Sequence, residues 1–231
     1  MKILDLLFPR FCIGCKKHWE HLCIDCKKSL ISHPEICPYC HRFSKNFETC
    51  IDCKCEKWNY LNWLIIWFAY RSLLKKLILA LKFYHKRDIW EFLASRLELA
   101  ILSNQYFHGR MDRIIFSWVP SHRYRRYFVK WYNQSEVLAK LTAKKLGVKY
   151  VDVMKKIKHT SSQTGLNREK RLKNLDNVFE LKDLDGLNND SILIFVDDIT
   201  TTGSTINKLA KVLKDKLPKI EIWWLVVWRH M

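Results

Sequence analysis

Ile192-Leu-Ile-Phe-Val-Asp-Asp-Ile-Thr-Thr-Thr-Gly-Ser-Thr205 is the stretch that decides the fold. Ile192 to Val196 is apolar without a break, which suits a strand buried on both faces of a parallel sheet. Asp197 and Asp198 then stand at the expected carboxyl end of that strand. Thr200, Thr201, Thr202, Gly203, Ser204 and Thr205 make a small, hydroxyl-rich loop, and Ile206 to Leu217 reads as an amphipathic helix. Ligands of open α/β sheets sit outside the carboxyl ends of the strands. A loop that enters a helix there offers free backbone N–H groups and the positive end of a dipole to an anion. The hydroxyls add donors, and Gly203 lets the backbone approach closely. The loop is therefore expected to bind a phosphate, with the two acids accepting hydrogen bonds from sugar hydroxyls. A ribose 5-phosphate needs both. The plainer alternative is a buried strand ending in a solvated acidic turn.

Working outward, the 231 residues leave room for one medium domain and a small one, and 48% apolar residues supply a core. Lys+Arg number 41 against 23 Asp+Glu, a formal net charge of +18. That excess points to a polyanionic partner such as nucleic acid, or more plainly to a solvated basic surface. Met1 to Phe8 is too short for a secretory signal and carries Asp5. The longest apolar segment, Leu61 to Tyr70, falls far short of the roughly 20 residues of a spanning helix. A soluble, cytoplasmic protein without a membrane span is expected.

All nine cysteines lie between positions 12 and 55. They pair as Cys12-x-x-Cys15, Cys23-x-x-Cys26, Cys37-x-x-Cys40 and Cys50-x-x-Cys53, with Cys55 left over. Each pair can offer two thiolates to one metal, and two pairs complete a tetrahedron, so up to two structural Zn(Cys)4 sites are expected. Sequential and interleaved pairings both fit the spacing. Disulfides are disfavoured without a secretory signal, and a redox role would need only one pair. His18, His21, His33 and His41 lie among the cysteines and rank below them as ligands. A segment this poor in Ile, Leu and Val needs metal to fold, so residues 1–57 read as a double zinc ribbon-like module. Two sites at −2 each would leave the chain near +14.

Residues 58–231 alternate strand and helix signals. Tyr60–Tyr70 reads as a strand or strand pair, Arg71–Phe83 and Asp88–Leu102 as helices, and Arg113–Val119 as a strand. Trp131–Leu146 reads as a helix stopped at Gly147, followed by strands Val148–Val153 and Ser191–Val196. The helix from about Ser204 and the strand Ile220–Trp228 close the chain. The pattern predicts a doubly wound, mainly parallel sheet. No internal repeat is expected in this part. Pro120 to Gln134 is a basic loop with Arg123, Arg125, Arg126 and Lys130 among Tyr124, Tyr127, Phe128, Trp131 and Tyr132. Its cations suit a diphosphate. Cations among rings also suit single-stranded nucleic acid; the plainer reading puts the rings in the core. Lys155 to Phe179 reads as a polar loop, either a lid beside the site or plain surface.

The strand, acids and Thr-rich loop of 192–205 together resemble the signature of type I phosphoribosyltransferases, which bind phosphoribosyl diphosphate (PRPP) with magnesium. Over nearly its whole length the chain also resembles the ComF family, specifically its ComFC-type competence proteins. The likeness rests on Phe8-Pro9-Arg10 before the cysteines, Leu81-Lys82-Phe83, and Val119-Pro120 with a basic loop ending Asn133-Gln134. It continues through Gln163-Thr164-Gly165-Leu166 with Arg171 and Asn174, Phe179, and Val196 to Thr205. The resemblance implies a phosphoribosyltransferase-like fold and a part in natural transformation. It implies action on incoming single-stranded DNA inside the cell, beside other competence proteins at the inner membrane. It assigns PRPP to Asp197, Asp198 and Thr200–Thr205. Diphosphate or DNA phosphates fall to Arg123, Arg125, Arg126 and Lys130, with Tyr132. The chain departs from the family at Lys130-Trp131-Tyr132, where Arg-Gly-Phe is usual. Thr201 stands where purine-handling phosphoribosyltransferases carry an Asp that serves the base, which weighs against nucleobase transfer. A metabolic phosphoribosyltransferase acting on a nucleobase-like or amine acceptor is the alternative.

Overall fold

The computed structural model describes residues 10–56, 59–69, 72–84, 87–120, 133–157, 178–182, 184, 186–200 and 203–229, without the side chains of 72, 81–84 and 87. The expectations for the basic loop over 121–132, for 158–177 and for Thr201 and Thr202 lie outside the described residues. Five strands form one sheet: β1 (Trp63–Phe68), β2 (Ile114–Trp118), β3 (Lys149–Tyr150), β6 (Ile192–Thr200) and β7 (Glu221–Arg229). Their order is β1-β7-β6-β2-β3, and every neighbour is parallel. β6 and β7 lie in the middle with a strand on each side, which is why both sequences are nearly unbroken apolar runs.

Helices cover both faces. Ile192, Ile194 and Val196 pack with Leu74 and Leu77 of α3 (Ser72–Tyr84), Leu93 and Leu97 of α4 (Arg87–Leu102) and Leu138 of α5 (Gln134–Leu146). Leu193 and Phe195 point the other way, onto Ile206, Leu209 and Leu213 of α6 (Ser204–Lys214). The strand's alternation thus supplies one side chain in two to each layer. No helix among the described residues is long and apolar enough to cross a membrane.

The α/β fold follows the expectation, with four local corrections. β6 continues through Asp197 and Asp198 to Thr200, because β7 runs beside it as far as Arg229. α5 begins at Gln134 rather than Trp131, since the Asn133 side chain accepts a hydrogen bond from Glu136 N at 3.2 Å and caps the helix there. Its other end stops at Gly147, φ 67°, as expected. The strand read over Val148–Val153 contributes only β3 to the sheet. The ends of the expected 155–179 loop pair instead as an antiparallel ribbon, β4 (Met154–Lys156) with β5 (Phe179–Leu181).

The cysteine segment is a repeat that the sequence reading did not draw out. Cys-Ile-Asp-Cys-Lys occurs at 23–27 and again at 50–54. Each copy opens a short helix, α1 (Ile24–Lys28) or α2 (Ile51–Lys54). Each is preceded by a tight Cys-x-x-Cys turn whose next residue, Lys16 or His41, adopts positive φ. Lys17 pairs with Asp25 at 2.9 Å, and Arg42 pairs with Asp52 at the matching place in the second copy. The segment lies along the free edge of β1. His33 N donates to Trp67 O at 3.1 Å, Ala69 N to Ile31 O at 2.9 Å, and Thr49 N to Asn62 O at 2.9 Å.

Candidate functional site

The acids and the phosphate loop meet at the rim where β2 ends and β6 goes on. Val119 N still reaches Val196 O at 3.3 Å, and the chain then leaves β2 through Pro120 toward the basic loop. Beyond that point β6 keeps β7 on one side and gains the start of α5 on the other. Ser135, in the first turn of α5, donates its hydroxyl to Asp197 Oδ1 at 2.7 Å. The same oxygen accepts from Asp198 N at 2.9 Å. Burial pushes Asp197 well above the ordinary carboxylate range, and the adjacent Asp198 carboxylate pushes the same way. The Ser135 hydroxyl opposes both. A carboxyl held against its own ionisation is a feature of binding and catalytic sites.

Gln134 is 7% exposed, and its side-chain nitrogen has no hydrogen-bond partner among the described residues. A buried amide left this way costs stability, and it is satisfied when a ligand supplies an acceptor. Beyond the acids, Thr200 is buried and pairs in register with Arg229 of β7. Gly203 enters α6 with φ 74°, a conformation that strains any residue with a side chain. A Cβ there would sit 3.5 Å from the Trp224 ring, so backbone rather than space calls for glycine. Ser204 is buried and Thr205 half-buried at the start of α6. The structure therefore brings Asp197, Asp198, Thr200, Gly203, Ser204 and Thr205 to one rim. Thr201, Thr202, Arg123, Arg125, Arg126, Lys130 and Tyr132 fall outside the described residues. Ser135 was not read from the sequence. Asn133 three places before Glu136 was the available signal, since it places the helix start, and so Ser135, at the rim.

The cysteines form two foursomes, Cys12/Cys15/Cys23/Cys26 and Cys37/Cys40/Cys50/Cys53, with all Sγ atoms in each within 4.8 Å of one another. Sequential pairing is the one that forms. Cys15 and Cys23 Sγ are 3.5 Å apart, and Cys40 and Cys50 Sγ 3.6 Å. Thiolates about 2.3 Å from a tetrahedral zinc lie about 3.8 Å from each other, so both sets fit the ion. Backbone donors are in place: Cys23 N points to Cys12 Sγ at 3.4 Å and Cys50 N to Cys37 Sγ at 3.5 Å. Against the cost of burial, such donors pull the Cys12 thiol down to about 6. The Arg42 guanidinium pulls Cys40 to about 6. A Cβ at Gly14 would come 2.5 Å from Cys26 Sγ, so the first turn closes only with glycine. The histidines are engaged elsewhere: His21 with Asp88, His33 with Pro34 O, His41 with Arg229 and His18 against the Phe11 ring. Both foursomes could hold zinc.

A family model, PRTase-CE, matches residues 69–230. The chain belongs to the PRTase-CE family. Curated relatives add to this. Competence protein F of Haemophilus influenzae is 29% identical over 220 residues, covering 88% of this chain and 95% of that one. DNA utilization protein YhgH of Salmonella typhimurium is 28% identical over 233 residues, covering 95% and 98%. The likeness to the ComF family is borne out by these matches. Among solved structures, an adenine phosphoribosyltransferase aligns at TM-score 0.38 with 16% identity, over 62% of this chain and 73% of its own. The Helicobacter pylori xanthine-guanine-hypoxanthine phosphoribosyltransferase aligns at 0.33 with 12% identity, over 58% and 84%. For this PRTase-CE member the fold assignment rests on its own sheet order and on the family model.

Proposed function

We propose that the rim binds PRPP with magnesium, and that the protein handles single-stranded DNA during DNA uptake in the cytoplasm. The observation that carries the reading is the Asp197 carboxyl, held by the Ser135 hydroxyl at the same rim where Gly203 enters α6 with positive φ. Asp197 and Asp198 would hold the ribose hydroxyls, partly through magnesium, whose charge would offset the cost of ionising Asp197. Thr200, Thr201, Thr202, Gly203, Ser204 and Thr205 would hold the 5-phosphate, and the Gln134 amide would meet an acceptor on the ligand. Arg123, Arg125, Arg126 and Lys130, with Tyr132 for stacking, would hold diphosphate or DNA phosphates. The relatives' printed names, which speak of competence and DNA utilization, favour the DNA role. Residues 1–57 are taken as the zinc module of this assembly and 58–231 as its ligand-binding domain.

Calorimetry with PRPP and magnesium tests the site. Heat is expected with the wild type and none with Asp197→Ala/Asp198→Ala; a silent wild type overturns the reading. Oligonucleotide binding tests the DNA role. Contact by four cations gives a log K against log salt slope of about −3 for single strands, and a flat line would remove DNA from the proposal. A screen of nucleobases and oligonucleotides for diphosphate release then decides whether the bound sugar is transferred.

A further inference from the structure

The two cysteine foursomes dock on different parts of the molecule. The first sits over α3 and α4. His21 Nδ1 lies 2.9 Å from the Asp88 carboxylate, Leu22 is buried in the cluster with Leu74 and Leu93, and the Lys27 ammonium lies over the Phe92 ring. The second sits against both ends of the phosphate loop. Tyr39, inside the Cys37-x-x-Cys40 turn, donates its hydroxyl to Asn207 Oδ1 at 2.6 Å. Asn207 lies in the first turn of α6, and its backbone N returns to Gly203 O at 3.0 Å. The Tyr39 oxygen also accepts from Leu61 N at 2.9 Å, and Asn207 Oδ1 from Tyr60 N at 2.9 Å. At the other end of the loop, Arg229 stands opposite Thr200 in the sheet and is 2% exposed. Its guanidinium donates to Pro38 O at 3.2 Å and to His41 Nε2. Pro38 and His41 belong to the same cysteine turn as Tyr39. Zinc bound by four thiolates there would carry −2, and the buried Arg229 guanidinium would offset part of that charge.

We propose that Tyr39 and Arg229 are positioning residues through which the second foursome sets the phosphate loop. Phosphate-ligand affinity then depends on metal at Cys37, Cys40, Cys50 and Cys53, and not on metal at Cys12, Cys15, Cys23 and Cys26. The ligand half of this statement rests on the PRPP reading; the mechanical half does not. The turn holds the loop by two separate routes, one at the strand that leads into it and one at the helix that leaves it. With the thiols emptied of metal the turn has no covalent frame, and both routes slacken together.

The test measures three quantities on Tyr39→Phe, which deletes one hydroxyl and keeps the ring. They are zinc per chain by mass spectrometry, amide hydrogen exchange over residues 203–209, and PRPP affinity by calorimetry. Zinc content is expected to match the wild type, and the thermal midpoint to fall by only a few degrees, the cost of one lost hydroxyl in a chain this size. Exchange over 203–209 is expected to rise, and PRPP to bind about tenfold more weakly. Asp88→Ala, which frees the first foursome from α4, is expected to change neither exchange there nor affinity. Unaltered exchange over 203–209 in Tyr39→Phe overturns the coupling whether or not PRPP binds. An equal rise in Asp88→Ala overturns its assignment to the second foursome. A wild type that ignores PRPP removes the ligand reading alone, since exchange still reports on the loop. Asn207→Ala reaches the same bond from α6, away from the thiols. It decides the matter should Tyr39→Phe release metal.

Discussion

The two rims of the sheet are built on opposite terms. At the amino ends of the strands, aromatic side chains close the structure. Trp63 and Trp223 stack with ring centres 4.1 Å apart and planes within 3°, and Tyr106 and Phe107 lie against Trp223 at 4.9 and 4.5 Å. Tyr106 donates to Glu221, which also accepts from Arg113 at 3.1 Å, and the Trp223 indole nitrogen is buried without a partner among the described residues. At the carboxyl ends, Asp197 resists ionisation, the Gln134 amide is buried without a partner among the described residues, and Gly203 occupies positive φ. One rim is closed by the packing of its own rings. The other is left wanting what a ligand would bring, which is where local rules of folding are expected to be broken.

Substitutions that set the rims against each other should separate stability from binding. Trp223→Ala empties the centre of the aromatic rim and is expected to cost about 3–5 kcal/mol in denaturant unfolding. PRPP affinity of the fraction still folded should stay unchanged; a specific loss of affinity would mean that the rims communicate. Tyr106→Phe removes a hydrogen bond to a carboxylate and should cost about 1.5–3 kcal/mol, again without effect on PRPP.

Asp197→Asn should act in the opposite direction. A carboxyl whose pKa is raised on folding contributes stability below its unfolded value, and that contribution is lost as pH rises through the folded value. The wild type therefore carries an unfavourable ionised Asp197 at high pH that the amide variant lacks. Asp197→Asn is expected to raise the thermal midpoint by about 2–4 °C in the neutral to alkaline range, the shift that ~1 kcal/mol produces in a chain this size. The gain should vanish below about pH 4, where the carboxyl is protonated in both states. PRPP binding should be lost in the same variant. A lower midpoint at neutral pH would show that the carboxyl rim is not the strained one.

Much of this was legible in the chain, because β6 and α6 follow each other without a gap. The apolar run, the acids and the Thr-rich turn needed no distant information. The end of β6 was misread because two acids look like a stop, whereas Val226 to Arg229 runs alongside and keeps the strand going. β4 and β5 escaped notice because each is a three-residue strand with a charged residue inside it. The partner of Asp197 lies 62 residues away and could not be read locally. Thiol spacing allowed two pairings, and only the fold selects one. The repeated Cys-Ile-Asp-Cys-Lys was in plain view and, once aligned, joins each tight turn to the short helix after it. That connection is the sequential pairing.

The cysteine segment's position along β1 carries one more consequence. Trp63-Leu-Ile-Ile-Trp-Phe68 is an edge strand of high β propensity without a charge or proline. Residues 31–33 and 48–49 occupy the backbone groups at its two ends. Without metal to hold those segments in place, the strand would offer a bare template to its own kind, the usual beginning of edge-to-edge aggregation. Removal of zinc from the cysteines would then reveal itself as turbidity as well as weakened ligand binding, with insoluble chains recruiting folded ones.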